Sequence, residues 1–364
     1  MTPALCGVSD GSLLLAGKLD AGFGIKTAIA VLNADQTHDV PVPILYGSPA
    51  QLLDTCLALS KGEPGYLLVH LSGYGYSADG APTLLAEALE RVRADGRFRV
   101  AVFFHELFAT GMPWKSAFWY ARRQKRAVQR IAEVCDLLVT NTRSYVDWLN
   151  RETLRQTTSP IQYMPVFSQV GEAQQHISLA DRDPVMAVFG LSGTRRNAYR
   201  ELSALGTMLR QLGIQEILDI GPEFEPPGEV HGIPIRRMGI LAAQEIDRRF
   251  SRSTFGFLSY PRTRLAKSGV FAGYCAHGVI PVIARHFPGQ VDGLVDGVHV
   301  LSPGTATAAQ ASGLEACSLA AWRWYSGHQL HDHAALYARW LDQSMDESTD
   351  GMEAAPESAG RKNA

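Results

Sequence analysis

At 364 residues, with 46% hydrophobic and 19% charged residues, the chain has the composition of a soluble globular protein and the length for two domains of roughly 150 residues each. A formal net charge of −2 and a pI near 6.6 give no global electrostatic footprint for nucleic acid, so the expected partner is a small molecule and no nucleic acid. No run approaches the roughly 20 apolar residues of a spanning helix, the opening MTPALCGVSDGS has no secretory pattern, and the five cysteines (Cys6, Cys56, Cys135, Cys275, Cys317) include no C-x-x-C pair; a cytoplasmic protein without a disulfide framework or zinc site is expected.

In chain order, short apolar or β-branched runs alternate with helical patterns. SLLLAGKL (12 to 19), VPVPILY (40 to 46), YLLVHLS (66 to 72), FRVAVFFHE (98 to 106) and CDLLVTNT (135 to 142) read as strands; TLLAEALERVRA (83 to 94) and FWYARRQKRAVQRIAEV (118 to 134) read as helices. This is the pattern of β-α-β units on a parallel sheet. The polar SQVGEAQQHISLADRDP (168 to 184) interrupts it. The alternation restarts with VMAVFG (185 to 190), a helix over 197 to 213, EILDIG (216 to 221), IRRMGI (235 to 240), FGFLSY (255 to 260) and IPVIA (280 to 284). The expected organisation is an N-terminal domain over 1 to 167, a linker over 168 to 184 and a second α/β domain over 185 to 318. C-terminal helices over 319 to 343 follow, able to pack back on the first domain, and then a polar tail over 344 to 364 too poor in apolar residues to fold.

Four turns follow predicted strands at their carboxyl ends, where open α/β sheets place ligands. They are Asp20-Ala21-Gly22-Phe23-Gly24, Ser72-Gly73-Tyr74-Gly75-Tyr76, Gly190 to Arg196, and Pro261 to Gly269. Glycine lets backbone N–H groups approach a ligand closely or receive phosphate at a helix N-terminus. None of the turns completes the three-glycine dinucleotide fingerprint or a P-loop, which disfavours a dehydrogenase or NTPase of those types. The last turn carries Arg262, Arg264 and Lys267 before Ser268 and Gly269 at the start of a helix, a combination suited to anionic oxygens.

The order strand, basic loop, helix and Ala276-His277-Gly278-Val279-Ile280-Pro281-Val282 resembles the donor-binding segment of GT-B glycosyltransferases of the glycogen-synthase-like and mannosyltransferase-like superfamily. VMAVFGLSGTRR is similar to the stretch that opens that family's second domain. LLVHLSGYGYSADGAP and VAVFFHELFATGMPW look like bacterial polysaccharide-assembly members. The resemblance implies two Rossmann-like α/β domains facing across a cleft and transfer of a sugar from a nucleoside-diphosphate-sugar donor to a saccharide or lipid-linked saccharide, with no cofactor and no metal. The donor is then expected at Gly190, Gly193, Arg195, Arg196, Lys267, Ser268 and Gly269 and the acceptor at Gly22, Phe23, Gly24, Tyr74 and Tyr76, while His105 and Glu106, ending a predicted central strand, are expected to face the cleft as candidate catalytic groups. The family's paired glutamates are missing, because Leu265 and Gly273 stand in their places. A sugar-nucleotide epimerase of the same fold and a non-catalytic nucleotide-sugar-binding or partner-binding protein are the alternatives.

Other signals carry less. Asp181-Arg182-Asp183 matches a D-x-D metal motif but precedes a strand, and His328, His331 and His333 lack the spacing of a known metal site. The segment from Trp114 to Arg130 combines Trp114, Phe118, Trp119 and Tyr120 with Arg122, Arg123, Lys125, Arg126 and Arg130, which suits either a solvated packed helix or peripheral contact with the inner membrane.

Overall fold

The computed structural model describes residues 7–32, 44–109, 114, 116–154, 159–306 and 311–353. Cys6 and most of the predicted strand over 40 to 46 lie outside them, as do residues 354 to 364.

The first domain opens with helix α1 (Gly7–Phe23), where the sequence suggests a strand. Leu15 and Leu19 lie one helical turn apart and both are buried, a spacing that outweighs the short apolar run. The helix ends at Gly24, whose φ of +68° and amide bond to the Asp20 carbonyl, with the Ile25 amide reaching Leu19, make a left-handed helix cap. Strands β1 (Ile29–Val31) and β2 (Ile44–Tyr46) form a small parallel pair, followed by α2 (Leu52–Ser60), β3 (Gly65–Ser72), the short α3 (Gly73–Tyr76), α4 (Thr83–Asp95), β4 (Phe98–Glu106), α5 (Ser116–Val134), β5 (Leu137–Thr140), α6 (Arg143–Glu152) and β6 (Gln162–Tyr163). Strands β3, β4, β5 and β6 lie in that order in one parallel sheet. β4 divides its side chains with the period of two that a strand imposes. Val100, Val102 and Phe104 join the core made with α2, α4, α5 and α6, and Ala101 and Phe103 join a core on the opposite face.

The second domain contains β7 (Asp183–Phe189), α7 (Ser192–Leu202), α8 (Gly206–Gln211), β8 (Glu216–Ile220), β9 (Glu229–Val230), β10 (Ile233–Gly239), α9 (Ala243–Arg252), β11 (Ser253–Phe257), α10 (Gly269–Ala276), β12 (Ile280–Val282), the hairpin β13 (Gln290–Val291) and β14 (Leu294–Val295), α11 (Pro303–Ala306) and α12 (Ala311–Tyr325). The single helix expected over 197 to 213 is therefore broken at 203 to 205. A Cβ on Gly206 would lie 2.7 Å from the ring of His231, so the chain turns to pack there. The sheet order is β12-β11-β7-β8-β10-β9, parallel except for β9. Its order reverses at β7, which makes the carboxyl ends of β7 and β11 the topological switch point where such sheets bind ligands.

The chain then returns to the first domain. Helix α13 (Leu330–Glu353) contributes Ala334 and Tyr337 to the core shared with Leu15 and Leu19 of α1 and Phe103 of β4. It continues past 343, where the sequence places the start of an unfolded tail. No helix among the described residues is long and apolar enough to cross a membrane.

Candidate functional site

The carboxyl ends of β4, β5, β7 and β11 meet along the seam between the two domains. Glu106 ends β4 and Lys267 precedes α10, and the Lys267 ammonium donates to Glu106 Oε1 at 2.9 Å and to the Tyr145 hydroxyl at 3.3 Å. The Lys267 side chain is 11% exposed and that of Glu106 44%, so this ion pair bridges the domains at the edge of the cleft. Tyr145 stands in the first turn of α6, immediately after β5. No motif marks Tyr145 in the sequence, although its position after a predicted strand is a usable signal.

Ser268 caps α10 by accepting from the Phe271 amide at 3.2 Å. Its hydroxyl serves the helix, and Gly269 provides the first turn behind it. The other donor turn reaches the same place, because a Cβ added to Gly190 (φ +129°) would meet Val270 of α10 at 3.4 Å and Thr194 at 3.5 Å. Gly193 lies open in the first turn of α7. Thus the N-termini of α7 and α10 stand side by side at the switch point, a local field suited to anions.

The two arginines after Gly193 separate. Arg195 is 1% exposed, and its guanidinium binds the Asp219 carboxylate, the Gly190 carbonyl and the Pro222 carbonyl. It holds the glycine turn in shape as an internal strut, in place of the expected donor contact. Arg196 is exposed, with its guanidinium 5.7 Å from the Phe224 ring centre.

His105 lies beside Glu106, with its Nε2 3.0 Å from His70 Nδ1 and its ring tilted against Phe103 at 4.5 Å. Burial lowers its pKa well below the ordinary histidine value, and the charges of His70, His333 and Lys267 lower it further; the imidazole is neutral. Asn141, fully buried at the end of β5, donates Nδ2 to the His105 carbonyl at 3.2 Å, while its Oδ1 has no partner among the described residues.

Among the expected acceptor residues, Tyr74 and Tyr76 follow β3 directly, beside the end of β4, where Ser72 pairs with Glu106. Gly22 and Phe23 end α1, and Phe23 stacks on His331 of α13 at 5.5 Å; with Gly24 they terminate a helix. Tyr76 is partly buried and donates to the His70 carbonyl at 3.1 Å. Tyr74 is half-exposed and accepts from Gln124 at 3.3 Å. Gly73 is required by packing, since a Cβ there would overlap the Gly80 carbonyl.

The discounted signals have structural roles. Arg182 donates to the Ile177, Ser253 and His277 carbonyls, and Asp183 pairs with Arg252. His328, His331 and His333 point to different neighbours, and the described residues contain no cluster of three potential metal ligands. Along α5, Arg123 pairs with Asp79 and Arg130 with Glu90, while Trp114 and Trp119 are exposed. A cavity of about 440 Å3 around Leu179, Pro184, Phe255 and Leu314 lies at the amino ends of β7 and β11, away from the seam.

No family model matches the chain, and no curated protein matches its sequence. Solved structures do match its shape. An alpha-glucosyltransferase in complex with UDP-glucose and DNA containing an abasic site superposes with a TM-score of 0.57 at 13% identity, over 93% of this chain and 95% of that one. A UDP-forming alpha,alpha-trehalose-phosphate synthase from Burkholderia xenovorans in complex with glucose-6-phosphate gives 0.55 at 12% identity, over 93% and 96%. The alpha,alpha-trehalose 6-phosphate synthase of Burkholderia multivorans gives 0.55 at 13%, over 85% and 76%. The chain therefore has the two-domain α/β fold of GT-B glycosyltransferases. One expectation is overturned: several of the matched alpha-glucosyltransferase structures contain DNA, so a fold of this type with no strong net charge gives no ground for excluding nucleic acid as a partner.

Proposed function

We propose that the protein transfers a sugar from a nucleoside-diphosphate-sugar donor, bound at the switch point of the second sheet, to a hydroxylated acceptor. The Lys267–Glu106 ion pair across the seam is the observation that carries this reading. It joins a cation at a helix N-terminus, suited to the leaving diphosphate, to a carboxylate and a neutral imidazole on the opposing domain. In this reading a diphosphate takes Lys267 from Glu106, with Arg196 and the N-termini of α7 and α10 completing its cradle. Glu106 is thereby released to accept the acceptor's proton, and His105, supported by His70, orients a sugar hydroxyl. The matched structures with UDP or UDP-glucose support the donor class.

The glutamate positions of the family offer no acidic contact. Leu265 is fully buried, and a Cβ on Gly273 would already lie 3.2 Å from Phe250 and 3.3 Å from Val170. That packing favours a non-catalytic donor-binding protein as the second reading. Calorimetric titration with UDP and assay of donor hydrolysis separate the two. Lys267→Ala is expected to weaken UDP binding by about 1.5–3 kcal/mol, the scale of a charge-assisted hydrogen bond. Glu106→Gln is expected to keep UDP binding and lose turnover. Unchanged UDP affinity in folded Lys267→Ala would remove the donor from this site, and binding without any turnover in the wild type would select the second reading.

A further inference from the structure

A second pocket opens on the same seam, of about 220 Å3, lined by Arg143, Tyr163 and Pro165 of the first domain and by Asp292, Gly293, Trp324 and His328 of the second. Its construction begins with a local signal. Asp292 and Gly293 have φ of +53° and +82°, the conformation of a two-residue hairpin turn for which Asp-Gly is suited. The turn carries Asp292 to the first domain, where its Oδ1 accepts from the Arg143 amide at 2.7 Å. Its carbonyl accepts from the Tyr163 hydroxyl and from Trp324 Nε1, both at 3.0 Å. The second Asp292 carboxylate oxygen has no partner among the described residues.

Two further groups are unspent. The Arg143 guanidinium lies 4.5 Å from the Tyr163 ring centre with no carboxylate within ion-pair distance among the described residues. His328 is 4% exposed, yet its Nε2 has no hydrogen-bond partner among the described residues, and a buried polar atom left so is costly unless something fills the space beside it.

The charges decide the class of occupant. An anion attracted to Arg143 would also face Asp292, whereas a neutral polyol can donate hydroxyl protons to Asp292 and accept from Arg143. The volume is below the roughly 300–1,000 Å3 of pockets for drug-sized ligands, which fits one sugar ring. We infer that this pocket binds a single neutral pyranose ring, held by Asp292, Arg143 and His328 Nε2. Its identification as the acceptor subsite rests on the transferase reading; the binding itself does not.

The test is saturation-transfer NMR and calorimetry with glucose, galactose and mannose on the full chain, beside Asp292→Asn and His328→Phe. Asparagine keeps an acceptor for the Arg143 amide and tolerates the turn, and phenylalanine removes the unpaired nitrogen at similar shape, so both variants should fold. At least one sugar is expected to bind the wild type and to bind each variant at least tenfold more weakly, with UDP affinity unchanged. Absence of sugar binding, or equal binding in the folded variants, overturns the proposal. So does stabilisation by inorganic phosphate that requires Arg143 while sugars have no effect. If sugars bind and UDP does not, the pocket stands and the transferase reading fails.

Discussion

Arg195 and Arg196 are neighbours in sequence with opposite fates. On the first turn of α7 one faces the sheet and the other faces solvent, and the buried guanidinium meets the buried carboxylate of Asp219. Burial pushes the Asp219 carboxyl up, against the pull of Arg195. Removing one partner of such a pair leaves an uncompensated charge, which costs about 3–5 kcal/mol. Arg195→Met is therefore expected to lower stability by that amount in urea unfolding, while Arg196→Met leaves it within about 0.5 kcal/mol, as exposed positions do. Similar stabilities for the two variants would contradict the strut assigned to Arg195.

At the level of elements, the pairing of α13 with β4 explains a buried histidine group. His70 of β3, His105 of β4 and His333 of α13 surround Phe103. His70 and His333 are each held down to about 4, chiefly by burial. An unfolded histidine titrates near 6.5. Between those values the unfolded chain binds protons that the folded chain refuses, so this stability is fully present above pH about 6.5 and is lost as pH falls toward about 4. The loss is of order 1–3 kcal/mol for each histidine. Urea midpoints should fall steadily between pH about 7 and about 5, above the range where most carboxylates titrate. His333→Phe should flatten that slope; an unchanged slope would assign the acid sensitivity elsewhere.

Across the whole molecule, the chain passes between domains after β6 and again between α12 and α13, and the two crossings are clasped. The Tyr325 hydroxyl accepts from the Ser168 amide at 2.7 Å and donates to Glu172 Oε1 at 2.6 Å, which also accepts from the Leu330 amide at 2.8 Å. Burial, then the Glu172 charge, raises the Tyr325 hydroxyl well above its usual value, so it keeps its proton. If the domains close on a ligand, the motion is expected to pivot at this clasp. Tyr325→Phe strands the buried Ser168 amide and is expected to cost about 1–3 kcal/mol, with a broader distribution of interdomain distances in solution scattering. Unchanged stability and scattering would show that the clasp does not set the hinge.

The sequence by itself determined the α/β class and the strands β3, β4, β7, β8 and β11. Those features rest on local periodicity, which is written in short segments. It misjudged α1, because a run of leucines suits either a strand or a buried helix face until a partner is known, and here α13 is that partner from the other end of the chain. Only the tertiary structure decided that Arg195 is spent on Asp219, that Phe23 packs on His331, and that Glu106 meets Lys267. Each of these depends on which distant residues share a space, and partners so far apart in the chain leave no trace in the local pattern of either one.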